Sequence, residues 1–359
     1  MAGSQFGKIF HISTFGESHG KALGVVVDGC PAGLSLSEED IQEMLERRRP
    51  GKNLKMTQRK EGDKVEILSG IFEGKTTGTP IAMVVWNEDQ RSKDYGEIAH
   101  AFRPGHADYG FFAKYGFRDY RGGGRSSGRE TIARVAAGAI AKKILLELGV
   151  SVRAKVIELA GISLTEDRQK AELLAEQKIL SLREQGDSAG GVVECLVEGL
   201  PAGIGEPVFD KLDASLAKAV MSIGAVKSVE IGDGIEVSKS LGSENNDAFF
   251  LMEENDSPSF TGSLRKGSNH SGGILGGMSD GSTIRIRAGF KPTPSISKPQ
   301  QTVNEAGEEI TIAIKGRHDP TVVERANVVV EAMTALTVLD AMLENLSARL
   351  EYVKRAYRR

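Results

Sequence analysis

Three consecutive glycines at positions 122–124 lie in a stretch that is rich in cations and hydroxyl groups. Glycine has no side chain and can adopt positive φ angles, so such a segment lets the backbone approach a ligand closely. The flanking side chains are three arginines and two serines, namely Arg121, Arg125, Arg129, Ser126 and Ser127. Guanidinium and hydroxyl donors are suited to binding a phosphate or a carboxylate.

The same stretch predicts the start of a helix. Ser127 and Glu130 have the spacing of a capping box, with Ser127 as the N-cap residue. Helix N-termini favour acidic side chains, so arginines at this end indicate that the compensating anion is a ligand. The alternative is a solvated turn whose arginines pair with surface acids.

Two of the six histidines, His19 and His106, lie in polar loops that contain glycine. Histidine titrates near neutral pH, so two of them beside an anion site are a candidate pair of general acids, although a single loop histidine is more often incidental. The sequence has neither a Gly-Lys-Thr phosphate loop nor a strand-linked dinucleotide fingerprint, which argues against a nucleotide kinase and a Rossmann dehydrogenase. These residues alone predict an enzyme that acts on a small polyanion.

The composition is that of an ordinary globular enzyme. Of the 359 residues, 40% are hydrophobic and 26% are charged, and the net charge of -3 disfavours a nucleic-acid-binding surface. Cys30 and Cys195 are the only cysteines and lack metal-ligand spacing, so neither a disulfide nor a metal site is predicted. No apolar run has the length of a membrane span, and no signal-peptide pattern precedes Phe6. We therefore expect a cytoplasmic protein without a membrane partner.

The first half predicts a sheet and two helices that would position this site. Apolar and alternating patterns predict strands at 7–13, 23–27, 65–72 and 81–86. One helix should begin after Ser37, which has Asp40 at capping-box spacing, and a second should run from the glycine stretch to Gly149. Residues 87–124 lack a regular pattern and carry eight aromatic residues, which predicts a long loop that forms a wall of the active site.

The second half contains a similar mixture of elements. Strands are predicted at 152–162, 192–197, 229–237, 284–290 and 310–314, and helices at 165–185 and 207–222. Residues 243–281, rich in Gly, Ser and Asn, are predicted to be an irregular, mobile lid. Asp319 as the N-cap should start a long amphipathic helix whose apolar residues extend from Val323 to Leu350.

The two halves also match each other in sequence. At a constant offset of 170, residues 16–34 meet residues 186–204, and His19 meets Ala189. Residues 65–71 likewise meet residues 229–235. We therefore predict a single α+β domain over residues 1–359 that contains pseudo-repeated halves at about 6–150 and 151–350. Its helices should lie between two mainly antiparallel sheets, in a β-α-β sandwich.

Four short blocks resemble the signature segments of the chorismate synthase family: GESHG at 16–20, RPGHAD at 103–108, RSSGRE at 125–130 and RHDP at 317–320. The blocks occur in the order found in the family, and the resemblance extends over nearly the whole chain. It implies the conversion of 5-enolpyruvylshikimate 3-phosphate to chorismate by anti-1,4-elimination of phosphate, with reduced FMN that is not consumed. One phosphate and two carboxylates in this substrate match the arginine-rich site.

The resemblance also implies individual roles. His19 would protonate the departing phosphate, His106 would protonate the reduced flavin, and Asp319 would support the flavin N5 as it accepts the substrate hydrogen. The substrate-binding residues would be Ser18, Arg48, Arg103 and Arg129. The flavin-contacting residues would be Arg48, Arg125, Ser126, Ser127, Gly224, Ala225, Gly276, Lys291, Pro292, Thr293, Pro294, Ser295 and Arg317.

A homotetramer is implied as well, with NADPH as the candidate reductant of the flavin. Many relatives have arginine where this chain has Leu54, so this chain lacks one basic contact for NADPH at that position. The alternative function is a non-catalytic protein that binds a phosphometabolite or a flavin, which turnover would distinguish. A structural or nucleic-acid-binding role ranks third, because the acidic balance counts against it.

Overall fold

The computed structural model of the protein describes residues 3–49, 62–87, 99–251, 264–314 and 319–358. Predictions that fall on Leu54, Tyr95 and Arg317 lie outside these residues. The helices of the described residues are α1 (Glu38–Arg48), α2 (Asp108–Tyr115), α3 (Thr131–Glu147), α4 (Arg168–Glu184), α5 (Leu212–Met221), α6 (Gly242–Asn245), α7 (Val323–Glu344) and α8 (Leu350–Tyr357).

Most of the longer strands belong to two five-stranded sheets, and the remaining strands form short two-stranded pairs. In chain order the strands are β1 (Gln5–Phe6), β2 (His11–Gly16), β3 (Ala22–Asp28), β4 (Val65–Ile67), β5 (Ile71–Phe72), β6 (Lys75–Thr76), β7 (Ile81–Trp86), β8 (Ser151–Leu159), β9 (Ile162–Ser163), β10 (Gly191–Glu198), β11 (Val226–Ile231), β12 (Phe249–Leu251), β13 (Leu264–Lys266), β14 (Ile274–Leu275), β15 (Met278–Ser279), β16 (Ile284–Phe290), β17 (Gln300–Val303) and β18 (Glu309–Ile312).

Two five-stranded antiparallel sheets form the outer layers of the molecule. The first has the order β1-β2-β3-β7-β4, and the second has the order β9-β8-β10-β16-β11. Alternate side chains face inward, and Leu23, Val25 and Val27 of β3 are fully buried. The alternation that predicted a strand at 284–290 is confirmed, since β16 buries every second residue.

Two long helices, α3 and α7, lie side by side between the sheets. α3 contacts β2, β3 and β7 of the first sheet and β8 of the second, whereas α7 contacts β8 and β10. The small residues of α3 allow this close packing, because a Cβ added to Gly138 would lie only 2.4 Å from the Cβ of Ala332. The predicted α+β sandwich, with helices between mainly antiparallel sheets, is confirmed.

A buried carboxylate in α7 joins several of these elements. Glu331 accepts two hydrogen bonds from Arg47 of α1, at 2.8 and 2.9 Å, and one from the backbone amide of Ala154 in β8, at 3.0 Å. Lys142 of α3 also pairs with this carboxylate. Burial raises the pKa of Glu331, but hydrogen bonds from Arg47 and Lys142 outweigh it and hold the pKa below its usual value.

The helix α1 agrees with its prediction, and α3 ends as predicted. Ser37 and Asp40 form the capping box of α1, which buries Ile41, Met44 and Leu45. Gly149 follows the end of α3 with a φ angle of 76°, the left-handed conformation typical of a helix C-terminus.

The predicted long helix after Asp319 is present as α7, but its predicted start, end and amphipathic character are wrong. α7 begins at Val323, whose amide donates to Thr321 Oγ1 at 3.3 Å, and Asp319 does not cap it. From Val328 to Asp340 every residue of the helix is buried, because α1, α3, α5 and the second sheet surround it. It ends at Glu344, and Leu350 starts the separate helix α8.

The loop predicted at 87–124 contains a helix, so that prediction is wrong in part. α2 spans Asp108–Tyr115, and its aromatic side chains pack on the preceding segment. The ring of Phe102 lies 5.5 Å from the rings of both Tyr109 and Phe112, measured between centroids. This ring packing stabilises a helix in a segment whose sequence period does not indicate one.

The described parts of the segment 243–281, residues 243–251 and 264–281, contain more regular structure than predicted. They form α6 and the strand pairs β12–β13 and β14–β15. The ammonium group of Lys266 is buried and pairs with Asp247 at 3.0 Å and Asp280 at 2.7 Å. Closure of this segment over a ligand stays a prediction.

Upstream, the strand predicted at 229–237 is β11, which ends at Ile231 and is followed by a 3-10 turn at Gly234–Lys239.

The two halves have corresponding connectivity. In the strand orders given above, β2, β3, β7 and β4 occupy the places that β8, β10, β16 and β11 occupy in the second sheet. One turn repeats in detail: Thr76 Oγ1 donates to Pro31 O at 2.7 Å and accepts from Leu34 N at 3.0 Å. Ser279 Oγ donates to Pro201 O at 2.6 Å and accepts from Ile204 N at 2.9 Å. These contacts support the predicted duplication.

One helical stretch of the described residues, Val323–Ser347, is long and apolar enough to cross a membrane. Of its most apolar window, 78% is buried inside the protein. The stretch includes α7, and its hydropathy is that of a helix at the centre of a core.

Candidate active site

The glycine stretch forms a tight loop ahead of α3. Gly122, Gly123 and Gly124 have φ angles of 61°, 82° and 53°, in the left-handed region that favours glycine. Two 3-10 turns, Gly124–Ser126 and Gly128–Glu130, connect this loop to the helix.

The predicted capping box of α3 is wrong. Ser127 Oγ accepts a hydrogen bond from Arg129 N at 3.3 Å and so caps the second 3-10 turn. The carboxylate of Glu130 accepts from Arg134 Nε at 2.9 Å instead of from the amide of Ser127. A charged guanidinium one turn later is the stronger donor, and α3 begins only at Thr131.

Both candidate histidines lie against this glycine loop. A Cβ added to Gly122 would lie 2.4 Å from His19 Cε1 and 3.0 Å from Ser18 Oγ. A Cβ added to Gly123 would lie 2.9 Å from Cε1 and 3.1 Å from Nε2 of His106. Two imidazoles separated by 87 positions in the sequence therefore pack on consecutive glycines. Such close approach requires residues without side chains at these two positions.

A carboxylate and a guanidinium hold the second histidine. His106 Nδ1 lies 2.9 Å from Asp108 Oδ1, and Arg103 donates to both oxygens of Asp108, from Nε at 2.7 Å and from Nη2 at 2.8 Å. Burial lowers the pKa of His106 below its ordinary value of 6.5, although the hydrogen bond to Asp108 opposes this shift. Burial raises the pKa of Asp108, but hydrogen bonds from Arg103 and His106 hold it well below its usual range. At neutral pH the aspartate is ionised and the histidine is uncharged.

The three arginines of the glycine stretch have different partners. Arg121 pairs with Asp119 at 2.8 Å on the surface, which is the alternative expected for a solvated turn. Arg125 donates to neutral oxygens only among the described residues, including Thr14 Oγ1 at 2.8 Å and Gly16 O at 3.1 Å. Its positive charge is therefore not compensated by a carboxylate of these residues.

Two arginines predicted to bind substrate share one buried acid. Arg48 Nη1 lies 3.1 Å from Asp63 Oδ2, and Arg129 Nη1 lies 2.9 Å from Asp63 Oδ1. Arg48 also donates to Thr131 Oγ1 at 2.9 Å and to Gly128 O at 3.0 Å. These contacts fix the end of α1 to the start of α3 behind the glycine loop.

The segment 291–295, predicted to contact a flavin, lies beside the His106 loop. Lys291 Nζ donates to Gly105 O, and Lys291 N donates to Ala225 O at 2.9 Å. Ala225 has a φ angle of 71°, a strained conformation that costs of order 1 kcal/mol and is typical of functional sites. The buried Oγ1 of Thr293 has no hydrogen-bond partner among the described residues. A ligand with polar edges would complete this surface, so these residues fit a flavin.

Other predicted site residues belong to chain segments other than those of the glycine loop and the two candidate histidines. Asp319 pairs with Arg325, whose Nε also donates to Arg48 O at 3.2 Å. Gly276 lies in the turn between β14 and β15, and Gly277 O accepts from Leu212 N at the start of α5. Gly224 precedes the strained Ala225, and a Cβ there would meet nothing within 4 Å.

The sequence interpretation missed three side chains that organise the site. Asp108 follows His106 by two positions, and the Arg-Pro-Gly-His-Ala-Asp turn could have indicated their pairing. No sequence pattern indicates the role of Asp63, since Arg48 and Arg129 lie in other segments of the chain. Asn87 accepts from Arg129 Nε at 2.6 Å and donates to Gly20 O at 2.7 Å, which ties this arginine to the loop of His19.

Known proteins resemble this chain over its full length. A family model described as Chorismate synthase matches residues 10–343. The chain is 59% identical to the chorismate synthase of Lachnoclostridium phytofermentans, with 100% of both chains covered. It is 55% identical to that of Methanosarcina mazei, with 96% of this chain and 97% of the relative covered. A crystal structure of a chorismate synthase matches with a TM-score of 0.74 and 31% identity, over 98% of this chain and 97% of that one.

Proposed function

Because the chain belongs to the chorismate synthase family, an enzyme family of aromatic biosynthesis, we propose that it converts 5-enolpyruvylshikimate 3-phosphate to chorismate by anti-1,4-elimination of phosphate. The observation that carries the proposal is the packing of His19 and His106 on consecutive glycines of one cationic loop. This arrangement offers a proton to each of two neighbouring ligands, while the positive charge of the loop favours a polyanion.

The substrate anions would lie at the glycine loop. Arg129, predicted to bind substrate, follows this loop, and Ser18 lies beside His19 against Gly122. A phosphate at this place would receive donors from the loop and a proton from His19. Asp63 holds Arg48 and Arg129 in fixed orientations, so the positive charge of both guanidinium groups would be preorganised for the substrate.

Reduced FMN would lie between the 291–295 segment and the glycine loop. Lys291, Thr293, Ser126 and Arg125 would hold it, and Asp319 would lie at its reactive edge. When bound, reduced FMN would supply electron density for the elimination without net oxidation of the substrate. The unpartnered Thr293 Oγ1 and the strained Ala225 support this location.

An anaerobic assay tests the proposed reaction. The purified protein is mixed with photoreduced FMN and 5-enolpyruvylshikimate 3-phosphate, and phosphate and chorismate are measured. We expect equal amounts of both products with reduced flavin, and neither product with oxidised FMN or without flavin. Equal rates without flavin would contradict the role of the cofactor. Binding of both ligands without phosphate release would identify a non-catalytic binding protein.

The two histidines should each be needed for turnover. We expect His19→Ala and His106→Ala to lower kcat by at least about 100-fold, because general acids contribute about 10²- to 10⁴-fold. His100→Ala is the control, since this side chain is 84% exposed and pairs with Glu305. Near-normal kcat in both site variants, measured in the same anaerobic assay, would overturn the assignment.

We propose a homotetramer on the basis of an exposed apolar face. On the outer side of the first sheet, the rings of Phe15 and Trp86 are about half exposed. The corresponding side of the second sheet carries ion pairs such as Lys155 with Glu194, at 3.2 Å. Exposed apolar patches are typical of subunit interfaces. Sedimentation equilibrium should give four times 38.5 kDa, and a monomer would contradict the proposal.

We further propose a cytoplasmic location, with NADPH as the reductant of the flavin. Cys30 and Cys195 are unpaired and buried, as is usual in a reducing compartment. Burial raises their pKa values to about 11 and about 12, so neither is a reactive thiolate at neutral pH.

A further inference from the structure

The imidazole of His106 lies in a buried ion-paired cluster at the start of α2. Arg103, His106 and Asp108 form this trio, with 5%, 14% and 3% of their side chains exposed. Asp108 Oδ2 accepts from Arg103 N at 3.1 Å and Nε at 2.7 Å. Asp108 Oδ1 accepts from Arg103 Nη2 at 2.8 Å and faces His106 Nδ1 at 2.9 Å.

The partners of Nδ1 decide which ring nitrogen carries the hydrogen. An ionised carboxylate only accepts hydrogen bonds, so a 2.9 Å contact with Asp108 Oδ1 is favourable only when Nδ1 is protonated. Arg103 Nη2 also lies 3.0 Å from Nδ1 and could donate to it. That alternative would place the Nδ1 lone pair against an anionic oxygen, and it would forfeit a charge-assisted hydrogen bond.

The opposite edge of the ring faces the candidate ligand site. A Cβ added to Gly123 would lie 3.1 Å from His106 Nε2, so this nitrogen lies next to the glycine loop. We propose that Asp108 is a positioning residue that holds His106 as the Nδ1-protonated tautomer, which makes Nε2 the proton-accepting atom of the resting enzyme. Arg103, predicted to bind substrate, then acts through Asp108. This inference rests on the proposed function for the role of His106.

The charged neighbours of His106 agree with an uncharged resting ring. Arg103 and Lys291 disfavour the imidazolium, Asp108 favours it, and Arg118 Nη1 lies 3.5 Å from Asp108 Oδ1. Burial and the two cations outweigh the carboxylate, so the pKa of His106 is lowered. A proton from solvent must therefore first form the N–H bond at Nε2, and Asp108 stabilises the imidazolium that results. Nε2 then releases this proton to the ligand, and Asp108 stays ionised throughout.

The tautomer can be measured on the protein without substrate or flavin. Protein labelled with ¹⁵N-histidine is examined at pH 7.5 by long-range ¹H–¹⁵N NMR, with His106→Gln to assign the signals. We expect a pyrrole-type Nδ1 and a pyridine-type Nε2 for His106. A pyrrole-type Nε2, or an average of two tautomers, would overturn the proposal. Because no turnover is involved, this result is independent of whether the proposed reaction occurs.

Asp108→Asn provides the second test. The amide oxygen of this variant is favoured at the Oδ2 position, which accepts two hydrogen bonds from Arg103, so the amide nitrogen faces Nδ1 and cannot accept from it. Because a negative neighbour is also lost, the fixed tautomer should disappear and the pKa of His106 should fall further. We expect kcat to fall at least about tenfold with little change in KM, and the limb of the pH profile that reports His106 to move to lower pH.

Asp233→Asn is the matched control, because Asp233 Oδ2 lies 2.6 Å from Nδ1 of His270 in a partly exposed pair. It should change the signals of His270 and leave those of His106 unaltered. An unchanged pH profile and kcat in folded Asp108→Asn would refute the positioning role. If that variant does not fold, the tautomer measured in the unmodified protein still tests whether His106 is protonated at Nδ1.

Discussion

At the scale of single residues, the candidate site depends on two positions where a side chain cannot be placed. Gly122 and Gly123 have positive φ angles, and each also lies against one imidazole. Gly124 has the same backbone conformation, but a Cβ there would meet only Asp119, with its Cβ at 3.7 Å, an ordinary contact. Alanine variants of this one loop can therefore distinguish the effect of backbone strain from the effect of displacing an imidazole ring.

We predict that Gly122→Ala and Gly123→Ala lower kcat by about 100-fold, because an added Cβ displaces the ring that it meets. All three variants should lose about 1–2 kcal/mol of stability, because each places alanine in the left-handed backbone conformation. Gly124→Ala should nevertheless retain most of the kcat. Thermal unfolding and the anaerobic assay measure the two effects separately. Equal losses of kcat in all three variants would mean that strain alone explains them.

At the scale of elements, the repeated turn supports an internal duplication. Both Thr76 and Ser279 are buried, and each hydroxyl bridges a proline carbonyl and an amide three residues later. The second half has alanine at the position that matches His19, and the amide of this residue, Ala189, donates to Pro320 O at 2.8 Å. Similar turns thus occur beside both sheets, while only the first half has a histidine at this position.

Thr76→Val and Ser279→Ala should destabilise the protein by similar amounts. Each change removes the two hydrogen bonds that a buried hydroxyl makes to the backbone, at a cost of about 1–3 kcal/mol. Thr79→Val is the control, because its hydroxyl is exposed and pairs only with Thr77 at 2.7 Å among the described residues. Urea unfolding measures the three free energies. A large loss in one half with none in the other would count against equivalent structural roles.

At the scale of the whole molecule, buried carboxylates connect the layers of the sandwich. Glu331 joins α1, α3 and β8 to α7, and Asp340 of α7 accepts from three consecutive amides, those of Lys8, Ile9 and Phe10, at 2.8–2.9 Å. The pKa of Glu331 is lowered in the folded protein, so its ionised form favours folding. This contribution is present above the ordinary glutamate pKa and is lost as the pH falls below it.

We predict that the melting temperature falls as the pH is lowered below about 4.5, and that Glu331→Gln makes this dependence shallower. At pH 7 the variant should lose about 2 kcal/mol, less than the 3–5 kcal/mol of a fully buried pair, because Arg47 and Lys142 are partly exposed. Glu351→Gln, which removes an exposed pair with Arg355, should change stability by less than about 1 kcal/mol. An identical pH dependence in Glu331→Gln and the unmodified protein would disprove this contribution.

The sequence by itself determined features that depend on neighbouring residues. The capping box of Ser37 and Asp40, the alternation of β16 and the glycine at the end of α3 were predicted correctly, because local geometry dictates each of them. The glycine triplet and its arginines also predict an anion site from local sequence, and that site stays a prediction.

Only the tertiary structure decided which charges pair and which helix faces are buried. Asp63 pairs with both Arg48 and Arg129, and Glu130 pairs with Arg134 instead of with the amide of its predicted N-cap residue. Several partners compete for each of these carboxylates, and sequence spacing does not show which of them forms the pair. α7 was predicted to be amphipathic because its apolar residues recur at helical spacing, yet it is buried on every side where α1, α3, α5 and a sheet enclose it. The physical reason is that burial and ion pairing depend on segments distant in the chain, whereas turns, caps and strand alternation depend on a few adjacent residues.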